Sequence, residues 1–153
     1  MKTLTLPPAR LQIRNENGKP RIWDDFRKKY VSLTPEEWVR QHFLHYLATE
    51  KKYPASLICV ESGLTYNRRK KRSDILVYSS QGNPLMIIEC KAPEVPVTED
   101  VFQQAATYNM TLRVPYLVVT NGIDHYVCHI DHENHSFTFL REIPAFDEIN
   151  LNK

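Results

Sequence analysis

No apolar run in this 153-residue chain approaches the roughly 20 residues of a membrane-spanning helix, so a membrane protein is not expected. The N-terminus lacks the apolar core of a secretory signal. An excess of one charge is also missing: 20 Lys and Arg stand against 18 Asp and Glu, a net +2. Any affinity for nucleic acid must therefore come from a local patch rather than a global field. Cysteines are few, odd in number and widely spaced, at Cys59, Cys90 and Cys128. Cys59 and Cys90 fall in apolar runs that read as strands, where a thiol behaves as a small hydrophobe. This pattern argues for a reduced, cytoplasmic setting. There is no internal repeat and no low-complexity segment. What remains is 42% hydrophobic and 25% charged, an ordinary globular composition at a length suited to one domain with a sizeable core.

Residues 1–33 carry few periodic signals and read as an arm of loop or edge hairpin, with Ile22 to Phe26 packing it onto a body formed by residues 34–153. The body opens with a helix. Thr34 caps it, Pro35 takes the first helical position, and Glu37 stands three residues after the cap, a capping box. Val39, Phe43, Tyr46 and Leu47 then make an apolar stripe at helical spacing. Strands are predicted over Ser56 to Ser62, Asp74 to Tyr78 and Leu85 to Lys91. A second helix runs from a Thr98 cap to about Leu112. Val114 to Thr120 reads as a strand buried on both faces, and strands at Tyr126 to Ile130 and Phe137 to Leu140 follow. This order implies an α/β fold, a central mixed sheet flanked by helices, with a parallel, right-handed crossover between the third and fourth strands.

The most informative feature lies at the hairpin of the second and third strands. Ser79-Ser80-Gln81-Gly82-Asn83-Pro84 is a turn between two apolar runs. A turn centred near Gln81 or Gly82 brings Asp74 opposite Glu89 or Cys90, and Lys91 shares a face with Glu89. Two carboxylates and an ammonium thus converge at one end of an apolar hairpin. The bland alternative is a surface salt bridge. Against it, Glu89 follows Leu85-Met86-Ile87-Ile88 without a break, and clustered carboxylates at a buried strand need a cation or Lys91 to neutralise them. A hard cation such as Mg²⁺, with Mn²⁺ as its substitute, suits carboxylates plus water and phosphate oxygens. Lys91 beside it could orient or deprotonate water, which is the equipment of metal-assisted phosphodiester hydrolysis.

Arg72-Ser73-Asp74-Ile75 followed by Ile88-Glu89-Cys90-Lys91-Ala92-Pro93 resembles the PD-(D/E)xK nuclease signature, in particular the N-terminal nuclease domain of type I restriction enzyme R subunits. Gln104-Ala105-Ala106-Thr107-Tyr108 is similar to the Gln-x-x-x-Tyr element of those nucleases. Pro115 to Gly122 is similar to the strand that follows it. The likeness covers Thr34 to Ile130. It implies a restriction-endonuclease-like core and a Mg²⁺-dependent nuclease acting on DNA, restriction- or repair-related. Asp74, Glu89 and the Cys90 carbonyl would hold the metal, Lys91 would activate water, and Gln104 would bond a phosphate or position Lys91 with support from Tyr108. It also implies a third acid on the first helix, Glu36 or Glu37. Glu37 already serves the cap, and Glu36 lies three before Val39 and seven before Phe43 on the inward stripe, so Glu36 is preferred. Ser73 stands where the pattern has proline. The chain carries no Gly-x-x-x-x-Gly-Lys-Ser/Thr loop, so no ATP-driven motor is expected. The expected partners are DNA and either other restriction-modification subunits or a second copy. A non-catalytic nucleic-acid-binding or assembly module that keeps the fold is the rival reading.

Arg68-Arg69-Lys70-Lys71-Arg72 ends two residues before Asp74. It reads either as a solvated loop or as a phosphate clamp at the mouth of the acidic site, giving sequence-independent affinity. The crowd of His125, Cys128, His129, His132 and His135 fits zinc poorly, because Cys128 faces away from His125 and His129 on a strand.

Overall fold

The computed structural model describes residues 3–61, 63–66, 69–72, 74–110 and 112–151. Strands β1 (Ile13–Glu16), β2 (Lys19–Asp24) and β3 (Lys29–Ser32) form an antiparallel three-stranded sheet. The arm expected as loop or edge hairpin is thus a hairpin extended by a third strand over residues 13–32. Arg27 and the buried Asp24 explain why: the β2–β3 turn is closed by Asp24 Oδ1, which accepts from the Phe26 and Arg27 backbone N–H groups at 2.7 and 3.1 Å.

Helix α1 (Pro35–Thr49) begins as its sequence requires, with Thr34 extended and its hydroxyl accepting from Glu37 N–H at 3.0 Å. The expected capping box is only half built. The Glu37 carboxylate turns inward and accepts from Arg27, Arg40 and Gln41. After α1, Tyr53 and Pro54 lead into a short 3-10 turn at Ala55–Leu57, so the expected long strand from Ser56 shrinks to β4 (Ile58–Val60). The basic run is not a loop: its last four residues form β6 (Arg69–Arg72), paired antiparallel with β5 (Gly63–Tyr66).

Strands β7 (Ile75–Tyr78) and β8 (Pro84–Cys90) make the anticipated hairpin. Its turn is closed by Ser79 N–H on Asn83 C=O at 2.8 Å, with Gly82 in the left-handed region at φ +84°. Helix α2 (Glu99–Met110) follows, with the Thr98 hydroxyl accepting from Val101 N–H at 3.2 Å. Then come β9 (Tyr116–Thr120), β10 (His125–Asp131), β11 (Ser136–Leu140) and a short helix α3 (Phe146–Ile149) that the sequence pattern did not reveal. Strand β9 starts two residues later than the apolar run suggested, because Pro115 cannot donate to a ladder.

The six-stranded sheet has the order β11-β10-β9-β8-β7-β4. Strands β8 and β9 pair in parallel across α2, as a β-α-β crossover requires, and the other pairings are antiparallel. Val39, Phe43, Leu44 and Leu47 of α1 pack on Ile75, Val77, Met86, Ile88, Cys90 and Val118. Phe102, Ala105 and Ala106 of α2 pack on Leu76, Ile87, Leu117, Val119 and Cys128. The alternation of β8 thus sends Ile88 and Cys90 to the α1 face, and Ile87, Glu89 and Lys91 to the α2 face. The fold is a mixed sheet between helices, as the sequence implies. Among the described residues no helix is long and apolar enough to cross a membrane.

Candidate active site

The β7–β8 register pairs Ile75 with Ile88, so one further step places Asp74 opposite Glu89. Asp74 sits just before β7, and its carboxylate is held at both oxygens. Oδ2 accepts from Cys90 N–H at 2.7 Å, and Oδ1 from Arg40 Nη2 at 3.2 Å. Beside it, Glu89 is half-buried where β8 meets α2. Burial pushes its carboxyl above the ordinary range, and Asp74 adds to that; Asn109 and Lys91 pull the other way. The Asn109 amide donates to Glu89 Oε1 at a long 3.4 Å and to Ala105 C=O at 2.7 Å.

Asp74, Glu89, Lys91 and Gln104 line one open cavity of about 380 Å³, with Val95, Val101 and Ala105 as its apolar wall. These four of the candidates converge from three places, the start of β7, the end of β8 and one side of α2. Gln103 lines other cavities and not this one, in keeping with its rotation from Gln104 on the helix. The two carboxylates offer hard oxygen donors to one space, a set that fits a Mg²⁺ ion completed by water and phosphate oxygens. The Cys90 thiol is buried on the opposite face and pushed well up in pKa, so only its backbone carbonyl could join them. Among the described residues, no group of three or more His, Cys, Asp or Glu side chains is arranged to hold a metal ion.

On α1 the two neighbouring acids divide. Glu37 is the buried one, at 6% exposure, while the Glu36 side chain is 47% exposed. Glu36 is therefore not on the core stripe, and it does not line the cavity of Asp74 and Glu89; it opens onto a separate one with Arg27, Glu37, Arg40 and Glu61. It approaches Asp74 only by way of Arg40 Nη2, which it meets at 3.5 Å; burial and then Asp74 raise its carboxyl, while Arg40 and Lys91 lower it. Arg40 was not legible as a site residue. It is 4% exposed, and its guanidinium reaches Glu37, Glu61, Glu36 and Asp74. Its spacing of three and four from Glu37 and Glu36 was the available signal, but that spacing equally suits a solvated helix pair. Asn109, five residues after Gln104, was also missed.

Arg68 lies outside the described residues, as do the side chains of Arg69, Lys70, Lys71, Arg72 and Tyr108. Three of the clustered histidines make structural contacts. His125 lies between the Thr120 and Thr5 hydroxyls at 2.6 and 2.7 Å, His132 contacts Val114 C=O at 2.8 Å, and His129 packs on the Tyr116 ring. Cys59, Cys90 and Cys128 are unbonded thiols.

No curated protein matches this chain in sequence. A solved fragment assigned to the HsdR subunit of a type I restriction enzyme from Vibrio vulnificus YJ016 is similar in structure, with a TM-score of 0.56 and 23% identity. The similarity covers 76% of this chain and 24% of that one, so the chain spans about a quarter of its relative's length. At that identity the likeness speaks for the fold, a restriction-endonuclease-like core. The family described as type I restriction enzyme R protein N terminus (HSDR_N) matches residues 35–144, from the first turn of α1 to just before α3. This chain belongs to the family of type I restriction enzyme R protein N-terminal domains.

Proposed function

We propose that this domain is a metal-dependent nuclease that hydrolyses DNA phosphodiester bonds in a restriction- or repair-related setting. One observation carries the reading: Asp74, Glu89, Lys91 and Gln104 open onto a single cavity. Family membership supports the reading, since an R-subunit N-terminal domain is nuclease-related. Mg²⁺ or Mn²⁺ held by Asp74, Glu89 and the Cys90 carbonyl would polarise a phosphoryl oxygen and acidify a water. The chain's own groups do the rest. Lys91 Nζ orients or deprotonates the attacking water. The Gln104 amide donates to a non-bridging phosphate oxygen, and Glu36 supplies a further acceptor at the α1 side. Partial burial of Glu89 lowers the local dielectric and strengthens its attraction for a cation. Arg68 to Arg72, two residues upstream of Asp74, supply phosphate contacts, and Tyr108 lies one turn from Gln104. DNA is the substrate, with restriction-modification subunits or a second copy as partners, in the cytoplasm.

A second reading keeps the fold as a non-catalytic nucleic-acid-binding or assembly module. It is favoured by one fact: both Asp74 oxygens already accept protein hydrogen bonds. Incubation with plasmid and linear DNA, with and without Mg²⁺ or Mn²⁺, separates the two. Metal-dependent cutting that falls by at least about 100-fold in Asp74→Ala and Lys91→Ala supports the enzyme. DNA binding that persists in all three proteins without any cutting establishes the module instead.

A further inference from the structure

Asp74 is not held by the sheet alone. Its Oδ1 takes Arg40 Nη2, and Arg40 is itself pinned elsewhere: Nη1 donates to Glu37 Oε1 at 2.6 Å and to Glu61 Oε1 at 3.1 Å. A guanidinium is planar, so fixing Nη1 on two acids fixes the direction in which Nη2 points. The same two acceptor oxygens are shared by a second arginine. Arg27 Nη2 meets Glu37 Oε1 at 2.9 Å and Nη1 meets Glu61 Oε1 at 3.4 Å, while its Nε pairs with Asp24. Asp24 is fully buried and also closes the turn of the N-terminal sheet, so Arg27 starts from a rigid base.

We propose that Arg40 is the positioning residue for Asp74, and that Arg27 acts on Asp74 through Glu37, Glu61 and Arg40. The N-terminal sheet, which lies outside the family-matched stretch of residues 35–144, is then part of the scaffold of the active centre. The relay runs Asp24, Arg27, Glu37, Arg40, Asp74, from the β2–β3 turn through α1 to the residue before β7. Both arginines are charged at any working pH, and the acids around Arg40 hold it so against burial. Their role is therefore geometric, setting the plane of one carboxylate whose other oxygen is fixed by Cys90 N–H. This rests on the reading of Asp74 and Glu89 as a divalent-ion site.

The test uses charge-conserving changes, because lysine keeps the positive charge and loses the fork. Mn²⁺ binding followed by electron paramagnetic resonance gives an affinity that does not depend on turnover. Thermal melting and circular dichroism on the same samples report folding. Arg40→Lys and Arg27→Lys should each weaken Mn²⁺ binding by about ten-fold, the size seen when a ligand's hydrogen-bond partner is removed. Combined, they should weaken it little more than either alone, since one acts through the other. Glu61→Gln, at a half-exposed position, is the milder variant if Arg27→Lys does not fold, and should weaken binding in the same direction. Lysine variants that melt earlier yet bind Mn²⁺ within about two-fold of wild type would overturn the proposal and leave the nuclease reading standing, because such a pattern is that of a purely structural network. Wild-type protein that binds no Mn²⁺ overturns both. Wild-type protein that binds Mn²⁺ without cutting DNA overturns the nuclease reading alone.

Discussion

Cys90 N–H donates to Asp74 Oδ2 at 2.7 Å across sixteen residues of chain. The bond ties the last residue of β8 to the residue preceding β7. It keeps the Asp74 side chain at the end of the hairpin rather than free in solvent. The backbone that separates Glu89 from Lys91 is therefore also what aims the second carboxylate.

From that bond follows a separation of stability from metal binding. Asp74→Asn retains an oxygen that can accept from Cys90 N–H, loses the acceptor that Arg40 Nη2 uses, and removes one negative charge from a site crowded with acids. Arg40 keeps its other acids, so the unfolding free energy should fall by no more than about 1–2 kcal/mol. Mn²⁺ affinity and metal-dependent cleavage should nevertheless be lost. Denaturant melts beside metal titration check this, and a collapse of stability in Asp74→Asn would show that the carboxylate is structural.

The neighbouring acids of α1 should behave oppositely. Glu37 is buried between two guanidinium groups, and Glu37→Ala leaves both underpaired, at about 3–5 kcal/mol. Glu36 is half exposed, so Glu36→Ala should change stability by no more than about 0.5 kcal/mol. If Glu36 serves the site, that variant loses cleavage with an unchanged melt. Equal melts for the two variants would contradict the burial that divides them.

Acid sensitivity should arise in part at His125. Burial lowers its pKa below the ordinary value, against a smaller opposing pull from Asp124. His42 is shifted the same way, again chiefly by burial. Each imidazole stays neutral in the fold while the unfolded chain takes up a proton near pH 6.5. The unfolded state then binds more protons, so stability is full above about pH 6.5 and declines as pH falls toward the lower native value. Melts of wild type and His125→Gln between pH 7.5 and 5, at about half-unit steps, should show a flatter dependence in the variant. Parallel curves would exclude His125 as a source of that slope.

Two glycines in the same left-handed conformation provide an internal control. Gly82 at φ +84° has nothing within 4 Å of an added Cβ, whereas at Gly122, φ +86°, that Cβ would meet Leu4 Cδ2 at 2.8 Å and Val39 Cγ2 at 3.1 Å. Gly82→Ala should cost about 1 kcal/mol, the conformational penalty alone. Gly122→Ala should cost about 1–3 kcal/mol more, because Leu4 must move off α1. Chemical denaturation of both variants measures the difference, and equal losses would mean that the N-terminal segment yields freely.

Local chemistry explains which parts were legible in the sequence. Thr34-Pro35 starts α1, Ser79 to Pro84 turns the hairpin, and Thr98 starts α2, because each acts within a few residues of chain. The period of two along β8 put Glu89 and Lys91 on one face, and the turn length brought Asp74 to them. Family membership was readable for the same reason, since Asp74, Glu89, Lys91, Gln104 and Tyr108 keep order and spacing. Where local rules met an alternative partner they failed. Glu37 left its half of the capping box for two arginines, and the basic run became strand β6 by pairing with β5.

Turn geometry and strand alternation act over short stretches of chain, and so the elements of the core and the convergence of Asp74, Glu89 and Lys91 could be read from residue order. Long-range packing set the rest: α1 delivers Arg40 to Asp74, Asn109 meets Glu89, and the N-terminal sheet anchors the network through Arg27. Those contacts span 10 to 34 residues and join separate elements of the fold. A charge on a helix looks alike in sequence whether it meets water or a buried carboxylate, and packing alone distinguishes the two.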